Sequence, residues 1–183
     1  MILSIFFLFI LIILLLTIYF IILLGNILIN YYTGVPYAPT PHSTIKTILR
    51  ILQIKKGVKL YDLGCGDGRF LFSAEKMGAE VIGFEISPFS YIRTLAKKIF
   101  TKSNAKIYFK NFFYQNLSSA DIVFCFLVDS VMNRVSKKLQ NELKPGTKIV
   151  SYGFPLLEWS EDPILQQYKK NDPSLRNIYF YTK

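Results

Sequence analysis

Three glycines alternate in a short segment between a strand-like stretch and a helix-like stretch. Gly64, Gly66 and Gly68 follow the strand-like residues 58–63 and precede residues 69–77, whose apolar spacing predicts a helix. Glycine in such a turn lets the backbone take unusual dihedral angles and lets a ligand approach without meeting a Cβ atom. The pattern predicts a ligand-binding turn that joins a strand to a helix.

Two acids accompany this turn. Asp62 precedes it, and Glu85 ends the next strand-like run, about twenty residues further on, where nucleotide-binding units place an acid that binds ribose hydroxyls. The dinucleotide fingerprint needs a glycine where this chain has Arg69, and a phosphate-binding loop needs a Lys-Ser or Lys-Thr pair that does not follow the glycines. Both of those sites are therefore excluded.

The pattern that remains, D-x-G-x-G-x-G with a downstream Glu, resembles motif I and the following acid of class I S-adenosylmethionine-dependent methyltransferases. A tight turn with incidental acids would explain the glycines but not both acids. The resemblance implies S-adenosyl-L-methionine as cofactor, with Asp62 near its methionine amino group and Glu85 on its ribose. The cofactor-binding residues that it implies are Asp62, Gly64, Cys65, Gly66, Asp67, Gly68, Glu85, Asn111 and Phe112.

The N-terminus is an uninterrupted apolar segment. Residues 2–24 carry no charge, and the first basic side chain of the chain is Lys46. A helix of this length spans roughly 34 Å, enough to cross a bilayer core of about 30 Å. A signal peptide would have a basic start and a small-residue cleavage site, and this segment has neither. We therefore expect a single transmembrane anchor in residues 1–30 that contacts the lipid bilayer through residues 2–24.

Charge indicates the orientation of this anchor. Lys46, Arg50, Lys55 and Lys56 all follow the span, which places the C-terminal domain in the cytoplasm by the positive-inside rule. The net charge of +10 suits residence beside an anionic leaflet. The basic residues are scattered in pairs, so we do not expect nucleic acid as a partner. The two cysteines have no spacing typical of a metal site or a disulfide framework.

Strands alternate with helices in the rest of the chain. This order predicts a Rossmann-like, doubly wound α/β fold with a mainly parallel, seven-stranded sheet, in a domain of residues 43–183 behind a linker of residues 31–42. A first helix is predicted to begin near residue 43. Strands are predicted at 58–63, 80–86, 106–109, 122–128, 148–152, 164–168 and 178–181, and helices at 69–77, 90–101 and 130–143.

A closer resemblance is carried by the linker GVPYAPTP, by YDLGCGDGRF and by the run from DIVFCFLVDS to KPGTKIVSYGFPLLEW. Together with the anchor, these segments are similar to membrane-anchored protein-lysine methyltransferases related to the enzymes for the ATP synthase c subunit and the adenine nucleotide translocase. Archaeal broad-specificity lysine methyltransferases are also similar. Asn111 stands where this family usually has Asp, and Asp129 stands where Pro is common.

This resemblance implies in-line transfer of methyl groups to accessible lysine side chains of proteins. The anchor favours membrane proteins as substrates, and broad specificity toward exposed lysines is equally compatible with the sequence. Tyr37 and Thr40 match the segment that closes over the acceptor side in the family, and Phe126 would wall the methyl-transfer channel. We expect these three residues to form the catalytic acceptor channel without a general base, because a sulfonium donor is already activated.

Two other functions stay open from the sequence. A small-molecule or lipid methyltransferase acting on quinones or head groups would share the cofactor site and the anchor. A non-enzymatic membrane-tethered module would bind the cofactor without turnover. A third function, nucleic-acid amino-methylation, is not expected. An enzyme of that class would carry [DN]-P-P-[FYW] where residues 126–130 of this chain read FLVDS.

Overall fold

The computed structural model describes residues 2–33, 38–163, 166–167, 169, 172 and 175–183. The predicted acceptor residue Tyr37 lies outside the described residues, as do residues 34–36 of the linker. The helices are α1 (Ile2–Thr33), α2 (His42–Leu52), α3 (Arg69–Glu75), α4 (Pro88–Thr101) and α5 (Asp129–Glu142). The strands are β1 (Lys59–Leu63), β2 (Glu80–Glu85), β3 (Lys106–Phe109), β4 (Ile122–Cys125), β5 (Lys148–Tyr152) and β6 (Ile178–Thr182).

The described strands form one mixed sheet in the order β3-β2-β1-β4-β5-β6. The first five strands are parallel, and β6 runs antiparallel to β5. The prediction of a Rossmann-like, mainly parallel α/β fold is confirmed, but the described part of the chain contains six strands and not seven. Parallel neighbours require a helical crossover, which is why a helix follows each of β1, β2 and β4.

The seventh strand was predicted at 164–168, and there the prediction is wrong for the residues that can be checked. Gln166 and Gln167 are helical, and so are Pro163 and Lys169. The Gln166 amide donates to the Asp162 carbonyl at 3.0 Å, which is the bond of a helical turn. Residues 164, 165 and 168 lie outside the described residues.

Side chains alternate between the two faces of the sheet, so each strand contributes to two apolar layers. On one face, Ile48 of α2 and Leu71 of α3 are fully buried against the strands. On the other face, Val135 and Leu139 of α5 are equally buried. The sheet is therefore covered on both sides, as a doubly wound fold requires.

The N-terminal helix α1 is separate from these layers. Within it, residues Leu3–Gly25 are long and apolar enough to cross a membrane by length and composition, and none of them is buried against the rest of the protein. The helix continues to Thr33 and so extends beyond the predicted anchor boundary at residue 30. Among the described residues, α1 contacts α4 of the folded domain.

Truncating Leu71 tests the layer beneath α3. Leu71 has no exposed surface, so we expect Leu71→Ala to lower the free energy of unfolding by about 2–5 kcal/mol through lost burial and the cavity left behind. Urea unfolding of the full chain in detergent measures the change. Lys137→Ala, at an exposed position of α5, is the control and should change stability by less than about 0.5 kcal/mol. Equal stability of both variants would contradict the placement of Leu71 in the buried layer beneath α3.

Candidate cofactor and acceptor site

The glycine turn connects the end of β1 to the start of α3 in a conformation that favours glycine. Gly64 and Gly68 have φ angles of +85° and +72°, in the left-handed region. A Cβ atom at Gly68 would lie 2.6 Å from the Phe72 ring and 2.7 Å from a methyl carbon of Thr94, and one at Gly64 would lie 3.1 Å from Leu127. The turn is thus packed tightly from behind, and its backbone faces a cavity.

Glu85, at the end of β2, fixes the position of this turn. One carboxylate oxygen accepts a hydrogen bond of 2.7 Å from the Gly66 amide. The other oxygen accepts from the amides of Ile86 and Ser87, at 2.8 and 2.7 Å. A carboxylate has room for about four hydrogen bonds. Three are occupied here, so one place remains for a ligand hydroxyl, and binding two hydroxyls would require release of a backbone bond.

Asp62 is a buried ionisable group at the end of β1. It is 2% exposed, lines the cavity, and accepts no hydrogen bond from any residue that the structure describes. Burial raises the pKa of its carboxyl well above the ordinary value, and the nearby carboxylates of Glu85 and Asp67 raise that pKa further. A cationic group in the cavity would relieve this cost, because Asp62 has no positive partner among the described residues.

Asp67, predicted to bind the cofactor, lines the cavity but directs its carboxylate to basic side chains. The guanidinium of Arg69 donates to both carboxylate oxygens at 2.9 Å. Arg93 and Lys97 lie 3.8 and 3.9 Å from one of those oxygens. Burial alone would raise the pKa of Asp67, but the bonds from Arg69 and the charge of Lys97 hold it below the ordinary value. Asp67 therefore stays ionised and braces the turn.

Arg69 is a site residue that sequence reasoning missed. Besides binding Asp67, its guanidinium donates to the Thr40 carbonyl at 3.2 Å. This bond ties the segment before α2 to the glycine turn and places Thr40 in the wall of the cavity. The residue directly follows the third glycine, so the motif contained the signal, although its partner in the linker could not be inferred from spacing.

The predicted adenine end is built from the loop after β3. The Asn111 side-chain oxygen accepts from the Phe113 amide at 3.0 Å and begins a short 3₁₀ turn, Phe112–Tyr114. An Asp would make the same cap, which explains how Asn can stand where the similar family has Asp. The amide NH₂ group of Asn111 makes no hydrogen bond with any residue that the structure describes. Phe112 is buried in the cavity wall, its ring 4.3 Å from that of Phe113.

The predicted acceptor end lies beyond the glycine turn, where the chain leaves β4. Phe126 is half-buried, lines the cavity and packs against Tyr152 with ring centroids 4.5 Å apart. The strand was predicted to continue to residue 128 but ends at Cys125. The residues after it turn into the cavity wall together with Val131 of α5 and Phe154. This end of the cavity is apolar and aromatic.

One cavity of about 560 Å³ brings these groups together at the carboxyl ends of the parallel strands. Gly68 is the one described site residue of the prediction that does not line it, because it packs behind the turn. The predicted site residues in its wall are Thr40, Asp62, Gly64, Cys65, Gly66, Asp67, Glu85, Asn111, Phe112 and Phe126.

The site fits the cofactor that the motif predicts. Three groups face the same cavity: the tight glycine backbone, the Glu85 carboxylate and the Asp62 carboxylate, which has no cationic partner among the residues that the structure describes. These groups suit a ligand that has ribose hydroxyls and an ammonium. Such a site on a sheet of this order defines a Rossmann-like S-adenosylmethionine-dependent methyltransferase.

Residues 62–163 match the ANTKMT methyltransferase domain family, and the chain belongs to that family. The chain is 34% identical over 157 residues to the protein-lysine N-methyltransferase of Saccharolobus islandicus (strain REY15A), covering 83% of this chain and 96% of that protein. It is 30% identical over 129 residues to the Mus musculus lysine N-methyltransferase named for the ATP synthase c subunit, covering 69% of this chain and 52% of the mouse protein. The chain thus spans about half the length of that relative.

A solved structure is also similar. The RNA methyltransferase of Salinibacter ruber, determined with S-adenosyl-L-homocysteine, superposes with a TM-score of 0.71 and 27% identity, over 79% of this chain and 93% of that one. The family match confirms the predicted resemblance, and the cofactor prediction of S-adenosylmethionine is confirmed with it.

Replacing Asp62 tests its raised pKa. An acid with a higher pKa in the folded than in the unfolded chain destabilises the fold as pH rises from its unfolded pKa towards its folded pKa. The pKa of Asp62 is raised from 3.8. In the absence of ligand, we therefore expect the stability of Asp62→Asn relative to wild type to increase above pH 3.8, by at most about 1.4 kcal/mol per pH unit. Thermal unfolding across pH measures this, and parallel pH profiles would contradict it.

Removing the Arg69 guanidinium tests the tie to the linker. We expect Arg69→Ala to speed hydrogen exchange at Ala38 and Thr40, the two residues of segment 38–41 that carry a backbone amide proton. It should also weaken binding of S-adenosylhomocysteine by roughly tenfold, the equivalent of about 1.4 kcal/mol for a lost charge-assisted bond. Exchange mass spectrometry and calorimetry provide the two readouts. Lys76→Ala, which removes a cation at the other end of the same helix, is the matched control. Unchanged hydrogen exchange in segment 38–41 of Arg69→Ala would show that the bond from Arg69 to the Thr40 carbonyl does not hold this segment in place.

Proposed function

We propose that this chain transfers methyl groups from S-adenosylmethionine to lysine side chains of proteins while α1 holds it in a membrane. The observation that carries the proposal is a cavity with an acid-lined end at the glycine turn and an aromatic end at Phe126. Its family and its named lysine N-methyltransferase relatives support the same activity.

The acid-lined end is the proposed donor site. Asp62 would hold the methionine ammonium, because that carboxylate has no cationic partner among the described residues. Glu85 would accept a hydrogen bond from ribose through its open hydrogen-bonding place, and the Asn111 amide with Phe112 would contact adenine. When bound, the donor supplies an activated methyl group on a positively charged sulfur.

The aromatic end is the proposed acceptor channel. A free lysine with a pKa near 10.4 is neutral only about once in 2,500 at pH 7. Apolar walls such as Phe126 and Phe154 disfavour the ammonium form, and a nearby positive sulfur does the same. The channel would therefore deliver a neutral amine in line with the methyl group, without a general base. Tyr37 and Thr40 are proposed to close this channel from the linker side.

Membrane attachment would select the substrates. We propose that α1 crosses the bilayer once, with the catalytic domain on the cytoplasmic side, because the basic residues of the chain all follow this helix. Tethering raises the effective concentration of acceptors at the same surface. Relatives are named for the c subunit of ATP synthase and for the adenine nucleotide translocase, so membrane-associated proteins are the proposed substrate class.

A methyl-transfer assay tests the proposal. The full chain in nanodiscs is incubated with radiolabelled donor and a lysate of cells that lack the protein, with Asp62→Asn as the inactive control and Lys137→Ala as the matched active control. We expect label in methyl-lysine after acid hydrolysis of protein bands, reduced at least tenfold in Asp62→Asn because the donor ammonium loses its partner.

Other products would identify a different activity. Label in the lipid extract would indicate a lipid or quinone acceptor. Label in RNA would indicate the activity for which the Salinibacter structure is named. No label, with donor binding retained in calorimetry, would indicate a binding module.

A further inference from the structure

The outer face of α4 exposes large apolar side chains. Phe89 and Ile92 near the start of the helix are 38% and 53% exposed, and Ile99 and Phe100 near its end are 75% and 87% exposed. At 3.6 residues per turn these four positions lie on one side of the helix. We call them the α4 surface.

The opposite side of α4 already faces the core. Tyr91 and Leu95 pack against the buried layer beneath α2 and α3, and Thr94 is fully buried. The Thr94 hydroxyl donates to the carbonyl of Gly66 in the glycine turn. The α4 surface is therefore additional to what the fold requires, since helix packing is satisfied without it.

Positive charge borders the α4 surface. Arg93 and Lys97 lie next to the surface on the helix, and Lys102 follows the last turn. Arg93 and Lys97 pair with Asp67, yet their side chains stay 51% and 39% exposed. None of the twelve Asp and Glu residues of the chain lies on α4 or on the neighbouring edge strand β3. The strand side adds the exposed cations Lys106 and Lys110.

The position of α4 indicates what kind of partner binds the α4 surface. It contacts α1, the helix that is long and apolar enough to span a bilayer. A helix with an apolar outer side and flanking cations binds the boundary between headgroups and acyl chains of an anionic membrane. A second copy of the chain would bring two basic borders together. Nucleic acid would match the cations but not the exposed apolar side chains of the surface.

We propose that the α4 surface docks on an anionic phospholipid membrane. Phe89, Ile92, Ile99 and Phe100 enter the headgroup boundary, and the flanking basic side chains contact lipid phosphates. Ser87 and Ser90, at the start of the same helix, line the cofactor cavity. Docking therefore fixes the angle between the cavity and the membrane. The inference rests on the membrane attachment proposed above.

A fluorophore on the α4 surface tests this contact. Cys65 and Cys125 are both buried, and burial raises the pKa of the Cys125 thiol to about 12, so a cysteine introduced by Phe100→Cys is the group that a thiol-reactive fluorophore labels. Lys137→Cys on α5, across the sheet, is the matched control site. Wild type treated with the same reagent measures background labelling. The full chain is placed in nanodiscs of phosphatidylcholine alone or mixed with phosphatidylglycerol, with a nitroxide-bearing lipid as quencher.

We expect severalfold stronger quenching at position 100 than at position 137, an increase with phosphatidylglycerol, and a decrease at high salt because ionic strength screens surface charge. Lys102→Glu, made in the Phe100→Cys chain, should reduce the quenching, while the charge-matched Lys137→Glu should not. Equal quenching at both sites overturns the inference. Quenching at position 100 that depends on protein concentration or on added RNA, and not on lipid composition, overturns it as well.

Flotation with vesicles separates this inference from the proposal it rests on. A chain that floats but shows equal quenching at the two sites retains its attachment through α1 and lacks the docked α4 surface. A chain that does not float lacks both.

Discussion

The hydrogen bonds of Glu85 are the interaction on which the site depends. Gly66 and Glu85 belong to different β-α connections, and the 2.7 Å bond between them joins the glycine turn to the end of β2. Parallel pairing of β1 with β2 brings the two segments to the same edge of the sheet. The same carboxylate also holds the backbone that leads into α4. The turn, the second strand and α4 are thereby positioned by one side chain.

Two further carboxylates beside this bond have opposite charge preferences. Asp67 is held ionised by Arg69, so the pKa of Asp67 is lowered. Burial and the nearby carboxylates of Glu85 and Asp67 raise the pKa of Asp62. The first acid stabilises the structure in the absence of a ligand. The second is costly in its charged form, and a ligand ammonium would remove that cost. A site of this kind exchanges some stability of the free protein for ligand affinity.

Local patterns were enough to predict the central strands, the helices and the chemistry of the glycine turn, because those features depend on periodicity and on glycine spacing. Contacts between distant segments were not predictable, and the bond from Arg69 to the Thr40 carbonyl is one of them. The predicted strand at 164–168 is wrong at residues 166–167, because a short apolar segment suits a strand or a helix equally, and the folded chain forms a helical turn at Gln166. The α4 surface was also missed, since exposure is a property of the folded chain.

The central claim is that Glu85 and Asp62 receive the two polar ends of the donor. A crystal structure of the full chain with S-adenosyl-L-homocysteine measures this directly. We expect a ribose hydroxyl within about 2.5–3.0 Å of a Glu85 carboxylate oxygen and the ligand ammonium in direct or water-mediated contact with Asp62. A ligand whose ribose contacts neither Glu85 oxygen, with the Gly66 bond unchanged, would contradict the account.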